Sequence, residues 1–229
     1  VAAILIVILT SSICFAGLKD LETTDIADRE ELKRITKEIG HAISIPTMSS
    51  ADPYGLTGFS IGVEASTYKL EEAKDVLDDT SMVMTRAHVI KGLPFDIDVG
   101  LEYSKAYSSN IRAFGGELRW APLTDGVATP AIGLRVTHSK LGGVDNFNLQ
   151  TTTFGAEVSK SIVGVVTPFA GAQYLSSKGE VTNSTWGSVT ENDTALFVGF
   201  NVSLLIIDIT LQADYAENTM YTAQFGVGF

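Results

Sequence analysis

The last nine residues, Tyr221-Thr222-Ala223-Gln224-Phe225-Gly226-Val227-Gly228-Phe229, put apolar side chains at every odd position and small or polar ones between. A period of two is the mark of a strand with one apolar and one polar face. The stretch finishes on an aromatic residue.

The same period recurs upstream. From Gly58 onward it covers Phe59–Ser66, and then 79–91, with Val83, Thr85, Ala87 and Val89 against Met84, Arg86 and His88. A third segment runs from Phe95 to Ser104, a fourth over 114–120, a fifth over 132–137, a sixth over 154–159 and a seventh over 165–176. Two more cover 196–203 and 207–215 before the terminal strand, which makes ten. Eight or twelve follow if a weak segment is miscounted. Such alternation suits a soluble barrel or sandwich with apolar residues inside, or a transmembrane barrel with the faces inverted.

Length and connections favour the membrane. The segments are near the 9–11 residues that a tilted strand needs to cross a bilayer. Connections at 91–94, 121–127, 161–165 and 204–206 are short, and those at 69–80, 105–110, 140–147, 177–190 and 216–220 are longer or more polar. Short turns on one side and larger loops on the other is the outer-membrane arrangement. Phe95, Trp120 and Tyr221 sit near predicted strand ends, where aromatic girdles belong.

The terminal strand resembles the assembly signal of small outer-membrane β-barrels of Gram-negative bacteria, with Tyr221, Phe225, Val227 and Phe229 at its apolar positions. The resemblance covers about residues 55–229 as a pattern and singles out no subfamily. It implies an all-β, antiparallel up-and-down transmembrane barrel of about ten strands in the outer membrane. Its partners would be outer-membrane lipid and, during insertion, the barrel-assembly machinery. An even strand count returns both barrel ends to the short-turn side, which is expected in the periplasm.

Residues 1–16, VAAILIVILTSSICFA, are apolar and then small, too short for a membrane-crossing helix. They read as the core and cleavage site of a signal peptide, with Cys14 and Ala16 at −3 and −1. Cys14 is the only cysteine, so no disulfide is available to the rest. Residues 17–57 then break the pattern. Leu32, Ile35, Ile39 and Ile43 recur at helical spacing behind a candidate N-cap, Asp28, with Glu31 three residues on. This predicts a short amphipathic helix serving as a periplasmic lead-in, or else a plug in the barrel mouth. A turn-rich linker, 46–57, joins it to the barrel at 58–229.

The net charge of −11 argues against nucleic acid. The polar parity of the strands collects Glu64, Asp96, Asp98, Glu102, Glu117, Glu157, Asp208 and Asp214 with Arg86, Arg119 and Arg135. A mid-membrane Arg facing lipid would cost about 2–4 kcal/mol, so these eleven are assigned to the lumen. They predict a salt-bridged acidic interior with a structural role, or a narrow pore admitting small cations or solutes. A barrel enzyme acting on lipid or peptide at the outer rim, and adhesion through the surface loops 69–80 and 177–190, are the alternatives. Asp96 and Asp98 share a face but fall at the turn end, the wrong rim for a surface protease. His138 and Ser139 are adjacent on a strand and so point to opposite faces. His88 could meet a lumenal acid, but a hydrogen-bonded interior histidine is the commoner outcome. No catalytic group, cofactor or metal is expected.

Overall fold

The computed structural model describes residues 18–229 other than Asp78 and Asn183; the predicted signal peptide lies outside the described residues. Ten antiparallel strands follow one another in order: β1 (Phe59–Lys69), β2 (Ser81–Leu93), β3 (Ile97–Ala106), β4 (Arg112–Leu123) and β5 (Ala131–Gly142), then β6 (Phe147–Ser159), β7 (Val166–Val181), β8 (Ser188–Leu204), β9 (Ile207–Tyr215) and β10 (Thr219–Gly228). Each pairs with its neighbours in sequence, and β1 pairs with β10, Ile61 opposite Val227 and Val63 opposite Phe225. The barrel is therefore closed and has no free edge to pair with another chain. Phe229 packs edge-on against Phe59, ring centroids 4.6 Å apart, at the seam.

The odd-numbered face of β10 looks outward: Tyr221, Phe225 and Val227 are exposed, and so are Ile61, Val63, Leu101, Phe114, Phe154 and Leu196 around the wall. The opposite face is buried and polar over the half of the barrel nearest the short turns. One end carries the turns 94–96, 124–130, 160–165 and 205–206 (the turn end), and the other carries 70–80, 107–111, 143–146, 182–187 and 216–218 (the loop end).

Two predicted boundaries move. The third strand begins at Ile97, because Phe95 and Asp96 have φ of 67° and 58° and form the hairpin turn. Alternation runs on through these two residues, but consecutive left-handed residues belong to tight turns. The predicted loop 177–190 is mostly strand: Lys178 lies opposite Thr190 and Gly179 opposite Val189. Polar side chains made it look like a loop, yet strand pairing is made by the backbone.

The helix α1 (Arg29–Ala42) forms as its pattern predicts, with the Asp28 carboxylate accepting the Glu31 N–H at 2.9 Å. Of its two expected locations, the structure has the one inside the barrel. The helix enters the barrel from the loop end, its first turn exposed and Glu38–Ala42 fully enclosed, packed against β6, β7 and β8. The partner of its apolar stripe is a second apolar lining, Met82, Met84, Leu149, Val189 and Met220, on inward positions near the loop end. Burying Leu32, Ile35, Ile39 and Ile43 completely contributes roughly 6–12 kcal/mol at about 1.5–3 kcal/mol for each side chain, an upper bound. Gly40 and Gly179 let the backbones approach: a Cβ on Gly40 would sit 2.2 Å from Ser177 Oγ, and one on Gly179 2.0 Å from Thr36 Oγ1.

Candidate functional site

Beyond α1 the chain does not leave the barrel. Residues 43–57 continue through the lumen toward the turn end, where they reach β1. A segment without regular structure must find partners for its backbone, and here the barrel wall supplies them.

Three arginines, each on a different strand, meet carbonyls of the last residue of α1 and of this thread in turn. Arg86 on β2 donates through Nη2 to the Ala42 carbonyl at 2.6 Å. Arg135 on β5 donates to the Pro46 carbonyl at 2.7 Å and to Thr47 Oγ1 at 3.0 Å. Arg119 on β4 donates to the Ser50 carbonyl, its guanidinium 5.9 Å from the centre of the Tyr54 ring. The thread's own N–H groups find acceptors on the wall: Met48 donates to Gln212 at 3.0 Å, Ala51 to Ser159 Oγ at 3.0 Å and Tyr54 to Asp98 at 3.1 Å.

Each arginine is also held by wall carboxylates. Arg135 Nε lies 2.9 Å from Glu117, Arg86 Nε 3.3 Å from Glu102, and Arg119 lies 3.9 Å from Asp98 and 3.8 Å from Glu157. An ion buried this deeply is tolerated only when paired and hydrogen-bonded. The five-donor guanidinium suits a double role that a lysine could not fill, carboxylate on one edge and thread carbonyl on another.

The predicted lumenal residues separate as follows. Glu64, Arg86, Asp98, Glu102, Arg119, Arg135, Glu157 and Asp214 are buried on the inner face, and Glu117 and Asp208 are half-buried. Asp96 is the correction: it lies in the exposed turn 94–96 and lines nothing. Asp214 accepts from Gln173 at 3.2 Å and Gln212 at 2.9 Å, and Asp208 from Ser203 at 2.6 Å. His88 meets Glu64, 2.6 Å from Nδ1 to the carboxylate. The pocket among Glu64, His88, Glu102, Gln224 and the thread is about 10 Å³, room for one water molecule. His138 stands on the outer face beside Thr152.

The loop end is fastened by a residue that the sequence reading did not single out. Glu38 of α1 accepts the N–H groups of Glu71, Glu72 and Ala73 at 2.8, 3.0 and 2.7 Å and the Asn218 amide at 2.7 Å. Its sequence signal was an acid inside an apolar helical stripe. Glu38→Ala is expected to cost about 2–3 kcal/mol, since several donors lose a charged acceptor. Hydrogen exchange at amides 71–73 should accelerate at least tenfold; unchanged rates would mean the loop is ordered by something else. Two exposed pairs tie down the ends. The Lys19 ammonium holds Asp25 below the usual carboxylate range at the loop end, and Lys160 does the same for Asp125 at the turn end, each pair 2.8 Å apart.

No family model matches this chain, and no curated protein matches it. Among solved structures it is similar to the N-terminal β-barrel domain of Pseudomonas aeruginosa OprF, at 12% identity over 76% of this chain and 99% of that one, TM-score 0.36. It is also similar to the KdgM porin, at 8% identity over 74% and 99%, TM-score 0.41. A third is the translocator domain of the autotransporter NalP from Neisseria meningitidis, at 11% identity over 90% and 96%, TM-score 0.44. Similarity this low transfers no activity. The closed barrel itself, apolar outside and ion-paired within, makes the chain an outer-membrane β-barrel.

Proposed function

We propose that this protein is a structural outer-membrane barrel sealed by its own N-terminal segment, with the loop end facing the exterior and the short turns in the periplasm. The observation that carries the reading is the course of residues 29–57. They enter at the loop end, run buried through the lumen and leave at the turn end, and the pocket beside them at Glu64, His88, Glu102 and Gln224 has space for about one water. A sealed barrel does not act as a standing cation pore. The acids expected to select cations are engaged instead in positioning the arginines that grip the thread.

The orientation follows from the general placement of short turns in the periplasm. It carries a consequence that the sequence reading did not contain: residues 18–28 lie at the outer surface and not in the periplasm. We take the protein to be non-enzymatic. His88 is committed to Glu64 inside the sealed interior, and His138 contacts Thr152 on the outer wall. Insertion by the barrel-assembly machinery, through the strand ending at Phe229, belongs to the same proposal.

Single cysteines test the orientation. With a membrane-impermeant maleimide on intact cells, Ala27→Cys should label and Val163→Cys, in the exposed turn 160–165, should label only after the outer membrane is permeabilised. The reverse pattern would overturn the proposal.

A further inference from the structure

On the outer wall at the loop end, four bases stand in a row across neighbouring strands. Lys105 of β3 lies directly opposite Arg112 of β4; Lys140 of β5 lies opposite Gln150 of β6, which in turn lies opposite Lys178 of β7. All four bases are exposed. They sit at an aromatic ring: Lys105 and Arg112 lie two residues beyond Tyr103 and Phe114, which face each other, Lys140 lies opposite Phe114, and Lys178 lies beyond Tyr174, which faces Phe154. Lys178 is four residues past Tyr174, about 10 Å along the membrane normal for a tilted strand. The aromatic ring marks the edge of the hydrocarbon, so the row lies at headgroup height.

Among the described residues none of the four is in an ion pair, whereas Lys19, Lys33, Arg34, Lys37, Lys69 and Lys160 all are. Like charges directly opposite on paired strands repel, as Lys105 and Arg112 must. In a protein of net charge −11 this concentration of unpaired positive charge calls for an anion from outside. Among the described residues, the one acid on the outward face of β3–β7 is Glu180, at the upper edge of a shallow cleft of about 200 Å³ lined by Lys140, Asn148, Gln150 and Lys178. Two ammonium groups and two amides against one carboxylate leave the cleft suited to phosphate.

We propose that this wall is a binding surface for a phosphorylated glycolipid of the outer leaflet. Its phosphates would lie along Lys105, Arg112, Lys140 and Lys178, its sugar hydroxyls against Gln150 and Asn148, and its acyl chains against the aromatic ring and the apolar wall below. The inference rests on the proposed orientation for the leaflet, but the chemistry is testable without it.

Purified full-length protein in detergent, with diphosphorylated lipid A as the probe, should retain the lipid in native mass spectrometry. Dephosphorylated lipid A should bind at least tenfold more weakly. The combined variant Lys105→Gln, Arg112→Gln, Lys140→Gln, Lys178→Gln should lose that preference. Arg29→Gln with Lys74→Gln, which removes loop-end charge away from the wall, should keep it. Heat-modifiable migration checks that each variant is folded. Competition by inorganic phosphate alone at comparable concentration would point to a free-anion site and overturn the lipid assignment. Equal binding of both lipids, or undiminished binding by the fourfold variant, would overturn the surface itself. Cysteine labelling fails or succeeds independently of these outcomes, so the orientation and the lipid surface can be lost separately.

Discussion

Deleting residues 18–57 is expected to convert a silent barrel into a conducting one. In planar bilayers the full-length protein should show no steady current. The 58–229 barrel, verified by heat-modifiable migration, should open in ohmic steps. A barrel of ten strands is narrow, and in this one the interior is shared between wall side chains and the threaded segment. Without α1 and the thread, the carbonyl acceptors of Arg86, Arg119 and Arg135 are gone, and water must replace them. Glu64, Asp98, Glu102, Glu117, Glu157 and Asp214 would then face only three arginines, so reversal potentials in a salt gradient should show cation preference. The acidic interior predicted from strand parity would then govern selectivity once the seal is removed. A folded deletion that stays silent, or a full-length protein that conducts equally, would show that the thread is not the seal.

The second large effect is expected at Arg135. Its side chain joins the Glu117 carboxylate, the Pro46 carbonyl and Thr47 Oγ1 in one buried contact. Arg135→Ala removes all three and leaves the Glu117 carboxylate, whose side chain is only 7% exposed although the residue as a whole is half-buried, without its partner. Breaking one partner of a buried pair costs about 3–5 kcal/mol, and this should appear as a lower temperature of heat modification together with flickering conductance. Adding Glu117→Gln removes the orphaned charge and should recover part of the stability without restoring the seal, because the thread carbonyls still lack their donor. That separation distinguishes a grip on the thread from simple wall stability. A loss of less than about 0.5 kcal/mol in Arg135→Ala, with no change in current, would refute the role.

The two predictions draw on different parts of the chain, and these were not equally readable. The wall was legible almost throughout. Phe59–Ser66 and Tyr221–Phe229 carry unbroken alternation, and the structure joins them, Ile61 opposite Val227, to close the barrel. Errors arose where alternation and backbone geometry part company. Asp96 kept the lumenal parity but falls in a turn made by two left-handed residues. Residues such as Lys178 and Thr190 looked like loop, yet they pair above the apolar band.

The candidate site was legible only as a set of ions. Charged side chains on the polar parity had to face away from lipid, so Arg86, Arg119 and Arg135 could be sent inward from sequence alone. That they grip carbonyls 42–50 could not be seen, because nothing in residues 43–57 marks them as the occupants of a lumen. One signal was present: Met82, Met84 and Met220 stand at inward positions where a wet interior would want polar groups.

By itself the sequence determined the strands, which face of each meets lipid, and the period of the helix, since each of these is a local repeat measured against one boundary. The tertiary structure alone decided that the helix lies inside the barrel and that the chain threads its own lumen. The physical reason is that a periodicity states which face must be covered, not what covers it. The apolar stripe of α1 and the donors of three distant arginines acquire partners only when the barrel closes around them.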